Sequence, residues 1–419
     1  MDLNRLGETV KTLRKRRALT QSQLAGEELT KGYISQIEHG RIAPSIRTLG
    51  LLASRLGCSL SDLVGPGIAT SVLDEAESAF VEGDLTEAWA KLDQVGGTRE
   101  TVPRYLVLAS EVGARLGKER TPDLISKALA EGSLPSTDRA RVLNAWGIYL
   151  ASLGQAAEAL DRFEQARKLL DNGSADIPLR LRVLSNCANF HTRLGDFRSA
   201  LDRLHECLLL SRRAGIHLAN GPLYTTLGIV HRRLGELAQA EDAQRRALLY
   251  YRADGDTLLI ASSHHNLGMV YREMGHLDDA EANLREALTN LEQHHPGHNH
   301  ITNSRFELAR VLIDKERLEE AFTQLEQVDT AQLSPVDKPL FPVLLAQCQR
   351  RLGHSEQAVE TLRQSASLLE QAPVELRVQA LKEQAFAMME LGHVQAAQEA
   401  IDQSMRLMGS GAGAGGLAH

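Results

Sequence analysis

The sequence predicts an all-α protein in which a bundle of five short helices is followed by a long solenoid of helical hairpins. Three observations predict it. Aromatic residues make up only 4% of the 419, too few for the sandwiches and barrels whose strands favour them. The first 65 residues break into short amphipathic stretches separated by turn residues. The remainder repeats one phrase at spacings of 34 to 41 residues.

Composition narrows the class. With 43% hydrophobic and 24% charged residues, the chain reads as soluble and globular, and its length suggests two to four domains. No stretch approaches ~18 consecutive apolar residues, and the opening MDLNRLGETVKTLRKRR lacks the features of a signal peptide. A cytoplasmic location is expected. Cys58, Cys187, Cys207 and Cys348 are scattered with no CxxC pair, so buried small side chains are expected rather than zinc ligands or disulfides. The net charge of −7 is uneven: residues 1–65 hold ten Lys/Arg against six Asp/Glu, a balance of +4, leaving −11 on the rest. A basic head on an acidic body places any polyanion at the head.

The elements of the head follow in order. Leu3, Leu6, Val10 and Leu13 recur at helical spacing in the first stretch. Thr20 is a candidate N-cap before QSQLAGE, and Thr30 another before KGYISQIEHG, which Gly40 stops. Pro44 and Ser45 open IRTLGLLASRLG, and Ser59 opens SLSDLVG.

The run LRKRRALTQSQLA…YISQIEHGRIAPSIRTLGLLASRLGCSLSDL resembles the Xre/Cro type of helix-turn-helix, across nearly all of residues 6–64. The resemblance implies a compact, five-helix, lambda-repressor-like domain over residues 1–65 that binds double-stranded DNA, with a recognition helix from about Lys31 to His39 in the major groove. It implies base-edge contacts from Lys31, Ser35 and Gln36, with Tyr33 at a base or the backbone. Thr20 and Gln21, at a helix N-terminus, and Arg41, Ser45 and Arg47 would meet phosphates. It further implies an ion pair between Arg14 and Glu38. One departure stands out: Glu28 lies near the turn position where the family often has Gly.

Gly65-Pro66-Gly67 interrupts the periodicity, which restarts at Val72, so a short linker is expected over 66–71. Beyond it the recurring phrase has the form (Arg/Glu)-(Leu/Met)-Gly-x4-Ala, as in RLGDFRSA, RLGELAQA and EMGHLDDA. Its marker falls at 83, 117, 154, 195, 235, 275, 316, 353 and 392, with Glu316 in the Gly place and a poor fit at 117. Seven residues before the marker stands Gly147, Ala188, Gly228, Gly268, Ala309, Ala346 or Ala385; five after it stands an Ala. Small residues there let two antiparallel helices cross closely, and the marker ends the first helix in a left-handed turn. The pattern resembles the tetratricopeptide repeat, implying nine units over residues 72–408, a right-handed superhelix and a concave face lined by the first helix of each unit. Residues 409–419 read as a flexible tail.

On that face the resemblance places Asn144; then Ser185, Asn186, Asn189, Thr192 and Arg193; then Thr225, Thr226, Ile229, Arg232 and Arg233; then His265, Asn266, Met269, Arg272 and Glu273; then Glu307 and Arg310. Asn carboxamides bond the backbone of an extended peptide, and Arg accepts a carboxylate in its fork. Asn186, Asn189, Arg193, Arg232, Asn266, Arg272 and Arg310 are therefore the expected ligand-binding set. The four histidines within 294–300 match no zinc motif in their spacing, so a solvated loop is expected there, with transition-metal binding as the alternative. No phosphate loop, GxSxG or HExxH occurs, and neither enzyme chemistry nor a cofactor is expected.

The whole organisation resembles bacterial transcriptional regulators that sense small signalling peptides. It implies a homodimer on a two-fold operator whose DNA binding is modulated by a short peptide. The alternative is a DNA-tethered scaffold whose groove docks a protein. The terminal repeat is a candidate dimer surface, with Leu381, Phe386 and Leu391 at the array end.

Overall fold

A computed structural model describes residues 3–26, 28–44, 46–58, 63, 66–95, 103–171, 176–216 and 220–411. Among these it is all-helical, with 23 α-helices, one 3-10 turn and no strand. The chain forms two compact units, Met1–Gly215 and Ile216–His419. No helix among the described residues is long and apolar enough to cross a membrane.

The first unit begins with α1 (Leu3–Arg16), α2 (Gln21–Ala25), α3 (Lys31–Glu38) and α4 (Ile46–Leu56). The spacing read in the sequence becomes a core: Leu6 and Val10 of α1 meet Leu24, Ile34, Ile37, Leu49, Leu52 and Leu56, with Leu63 completing the cluster. Each side chain contributes ~1.5–3 kcal/mol by leaving water. Both threonine caps form. Thr20 Oγ1 accepts from Gln23 N while the Gln23 side chain bonds the Thr20 N–H, a complete capping box. Thr30 Oγ1 accepts from Tyr33 N. The expected start of a fifth helix at Ser59 lies outside the described residues.

Residues 66–71, expected as a linker, are the first turns of α5 (Pro66–Glu82). Pro66 opens that helix, where its missing N–H costs nothing and its fixed φ suits the first turn. It pairs with α6 (Leu85–Val95). Three more pairs complete the unit: α7 (Pro103–Leu116) with α8 (Thr121–Ala130), α9 (Ser136–Ser152) with α10 (Ala156–Leu170), and α11 (Ile177–Arg193) with α12 (Phe197–Ala214).

The second unit continues with α13 (Asn220–Arg233) and α14 (Leu237–Asp254), α15 (Thr257–Met274) and α16 (Leu277–His294), and α17 (Asn299–Asp314) and α18 (Leu318–Glu326). Then come α19 (Leu340–Arg351), α20 (Ser355–Gln364), the short α21 (Ala366–Glu370), and the last pair, α22 (Val374–Glu390) and α23 (Val394–Gly411). Helix thus reaches three residues into the stretch expected as a tail; residues 412–419 lie outside the described ones.

All nine markers sit at the turn inside a helix pair, and all have positive φ, from 62° to 90° for the eight glycines and 61° for Glu316. The small residues seven before and the alanines five after are buried in the seven regular repeats. Their reason is steric. A Cβ on Gly147 would enter the Phe163 ring, and one on Gly268 would lie 2.6 Å from Leu284 Cγ and 3.2 Å from Ala280 O.

Candidate functional site

In the head, α3 is fixed from beneath and presented outward. Ile34 and Ile37 are fully buried, so the positions between them face out. Lys31, Gly32 and Gln36 are exposed, and Tyr33 and Ser35 are half-buried, with Tyr33 resting on the core. Arg41 and Thr20 are exposed. Ser45 and the Arg47 side chain lie outside the described residues.

The end of α3 is tied to α1 by charge. Arg14 Nε donates to Glu38 Oε1 at 2.5 Å and Nη2 donates to Oε2 at 3.0 Å, while Nη1 donates to Leu19 O at 2.8 Å. Gln21 Nε2 donates to Glu38 Oε2 at 2.8 Å. Gln21 is therefore half-buried and engaged inside the domain, unlike its neighbour Thr20. Burial of Glu38 disfavours its charge, but the hydrogen bonds from Arg14 and Gln21, with the charges of Arg14 and Lys11, outweigh it and hold the carboxyl below its ordinary range.

The turn between α2 and α3 departs from the sequence reading. The left-handed residue is Gly26, at φ 55°, so the glycine expected in this turn is present two positions before Glu28. Glu28 instead pairs with Arg55 of α4. Arg55 also donates to Leu24 O at 3.0 Å and to Ala25 O, closing the C-terminus of α2. A Cβ at Gly26 would lie 2.5 Å from that guanidinium. Nothing local in the sequence signals Arg55, because its partners lie about 30 residues away.

The first-helix face of the repeats is polar and mostly self-satisfied. In the second unit Arg232 pairs with Glu273 at 2.5 Å, Arg310 with Glu307 at 2.7 Å, and Arg272 approaches Glu307 and Asp314, each at 3.6 Å. Each arginine expected to await a carboxylate there already has one from this chain. His265 meets Ser304 Oγ at 3.0 Å, and burial, with His300 and Arg232 nearby, pushes it down to about 4. Thr225 bonds Gly221 O and the Tyr251 hydroxyl. Asn266, Ile229, Met269 and Thr226 are half-buried; Arg233 and Glu273 are exposed.

In the first unit Asn186 Nδ2 donates to Asn144 Oδ1 at 2.8 Å, Asn189 is exposed, and Arg193 lies over the Phe190 ring at 5.1 Å. Ser185 is half-buried, and Thr192 bonds Ala188 O. Sequence reasoning missed Glu111 and Arg141, a pair that joins the first helix of the repeat whose marker phrase fits poorly to the first helix of the next. The 294–300 histidines bond one another and Thr257: His298 Nδ1 accepts the His300 N–H, and His295 meets Thr257 Oγ1 at 2.8 Å. Among the described residues no group of three His, Cys, Asp or Glu is placed to hold a metal ion.

An exposed helix held on such a bundle defines a helix-turn-helix of the DNA-binding class, and residues 10–63 match the helix-turn-helix family. The chain belongs to the MalT-like TPR region family, which it matches over residues 141–408. Over 61 residues it is 43% identical to the immunity repressor protein of Bacillus phage phi105; the match covers 14% of this chain and 42% of that protein. Its fold is similar to the apo form of RapI, at a TM-score of 0.61 and 15% identity, covering 81% of this chain and 97% of that one. It is also similar to the apo form of the quorum sensor NprR from B. thuringiensis, at a TM-score of 0.59 and 15% identity, covering 82% and 99%.

Proposed function

We propose that this chain is a sequence-specific DNA-binding transcriptional regulator whose repeat region binds a short signalling peptide that modulates DNA binding. The observation that carries the DNA half is α3: Ile34 and Ile37 anchor it while Lys31 and Gln36 stand exposed on the far side. Lys31 and Gln36 read base edges, with Ser35 and Tyr33 beside them. Thr20, Arg41, Ser45 and Arg47 hold phosphates; Gln21 acts mainly through Glu38. The DNA-binding domain spans residues 1–65, and the repeats run from α5, which begins at Pro66, to about residue 408.

The peptide half draws support from the fold shared with NprR, whose name is that of a quorum sensor. The first-helix face supplies the carboxamides an extended peptide backbone needs, from Asn186, Asn189 and Asn266. Two copies bind a two-fold operator, and a peptide shifts DNA affinity only if it binds the two arrangements of the heads unequally.

Selection from a random duplex pool, followed by fluorescence anisotropy on the selected duplex, tests the first half. Native mass spectrometry of protein purified from its host tests the second. A dimer with added mass of a short peptide is expected. A pull-down that recovers a protein in the groove, with no peptide effect on DNA binding, replaces the peptide reading with that of a docking scaffold.

A further inference from the structure

Three neighbouring first helices of the first unit, α7, α9 and α11, gather arginines about one carboxylate. Glu111 is fully buried. Its Oε2 accepts from Arg141 Nε at 3.0 Å and Nη2 at 2.6 Å, and Arg182 Nη2 lies 3.5 Å from Oε1. Arg115, one turn along α7, spends a donor on the Glu111 main-chain oxygen at 2.8 Å and lies over the Phe80 ring at 4.9 Å. Arg115 and Arg141, both half-buried, and Arg182, with 40% of its side chain exposed, thus gather about one buried anion. Asp138 at the rim, 3.7 Å from Arg141, reduces the excess to a single positive charge. Farther out Arg104 pairs with Asp74 and Glu77, whose side chains are at least as exposed as that of Arg182, so water weakens all four charges. In the second unit Arg232, Arg272 and Arg310 instead face Glu273, Glu307 and Asp314.

A second observation points to a ligand. Asn144 lies one turn from Arg141 on α9 and is 0% exposed. Its Oδ1 is taken by Asn186, one turn from Arg182 on α11, but its Nδ2 is buried with no acceptor among the described residues. Arg182 Nε is likewise buried without one. A buried donor lacking its acceptor costs ~1–3 kcal/mol, so both await an oxygen.

We infer that Arg182, Arg115 and Asn144, organised by Glu111 and Arg141, form a binding site for a carboxylate carried by the peptide ligand. The inference rests on the peptide reading proposed above and assigns one end of that ligand to the first unit. A planar carboxylate meets the guanidinium fork with two oxygens and adds an acceptor beside Glu111. The carboxylate comes either from the peptide C-terminus or from an Asp or Glu side chain.

The test uses the full-length protein and a random heptapeptide library, with free C-termini in one pool and amidated C-termini in the other. Captured peptides are read by mass spectrometry. Retention of the free-acid pool at least roughly tenfold above the amidated pool is expected, since a charge-assisted hydrogen bond supplies that factor. Arg182→Gln abolishes the preference, and Arg182→Lys, which keeps the charge but not the fork, restores only part of it. Arg141 keeps its bonds to Glu111 in both variants, and an unchanged Tm checks the fold. Enrichment of Asp and Glu in the amidated pool, lost in Arg182→Gln, assigns the same site to a side-chain carboxylate. Equal retention of both pools without that enrichment overturns the site while leaving the peptide reading intact. Retention of neither pool overturns both.

Discussion

Arg14 and Glu38 face each other through two N–H···O bonds, at 2.5 and 3.0 Å, and so fix the end of α3 to α1. Glu38 is also the acceptor for Gln21, so one carboxylate positions three helices. Glu38→Ala strands the Arg14 cation and should cost about 3–5 kcal/mol. Replacing both partners, as in Arg14→Met with Glu38→Leu, should recover most of that loss. Hydrogen exchange over residues 3–58, read by mass spectrometry, separates the two outcomes: protection collapses in the single variant and returns in the double.

DNA recognition divides by residue. Gln36→Ala should lower affinity for the selected duplex by about 1–3 kcal/mol and relax preference at one base pair. Arg41→Ala should weaken all duplexes alike and reduce the salt dependence of binding by about one unit of slope. Gln21→Ala should lower stability as well, because Glu38 loses a donor. Anisotropy titrations across salt, with unfolding curves beside them, distinguish the three patterns.

The repeats were legible because their geometry is local. A marker with positive φ must stand between the helices of each pair, and a small residue must stand where the pair crosses. What stayed hidden depends on chain-distant partners. Arg232 and Glu273 are 41 residues apart, Arg141 and Glu111 are 30 apart, and no periodicity reports whether such charges meet. The break at Gly65-Pro66-Gly67 misled for the opposite reason: proline and glycine punctuate a helix start as readily as a linker. Glu28 stands near the expected turn glycine in the sequence, whereas the role of Gly26 follows from the end of α2 at Ala25, which Arg55 caps from a distance.

The close crossing makes Gly147 and Gly268 intolerant of one methyl group. A Cβ at either meets Phe163 or Leu284, so Gly147→Ala and Gly268→Ala should each destabilise by about 1–3 kcal/mol despite the better helix propensity of Ala. A neutral or stabilising result in urea unfolding at either site contradicts the packing described.

Acid should unfold the chain in two stages. His265 is held near 4 by burial, below the ~6.5 of an unfolded histidine, so the unfolded state binds its proton first and stability falls as pH drops through that interval. Glu164 and Glu281 add a steeper stage. Burial opposes their ionisation, but Arg167 and Arg203 on Glu164, and Lys315, Arg285 and Arg317 on Glu281, bring each to about 2. Their contribution is complete above the ordinary carboxylate range and is lost as pH falls towards 2. Thermal unfolding from pH 7 to 2 should show both, and Glu281→Gln should flatten only the lower stage.

Glu316 provides the remaining check on the repeat grammar, because it alone among the nine markers is not glycine. Its φ of 61° costs a residue with a Cβ about 1–2 kcal/mol. Its carboxylate pairs with Arg351, but Glu316 is largely exposed, so the pair returns little. Glu316→Gly relieves the strain and gives back part of the gain by loosening the unfolded chain, for a net stabilisation of about 1 kcal/mol, or roughly 2–4 °C in Tm. Glu316→Ala removes the ion pair and keeps the strain, so it should be neutral or slightly destabilising. If alanine stabilised as much as glycine, the ion pair would be the unfavourable element, and the left-handed turn would not be what the marker position selects.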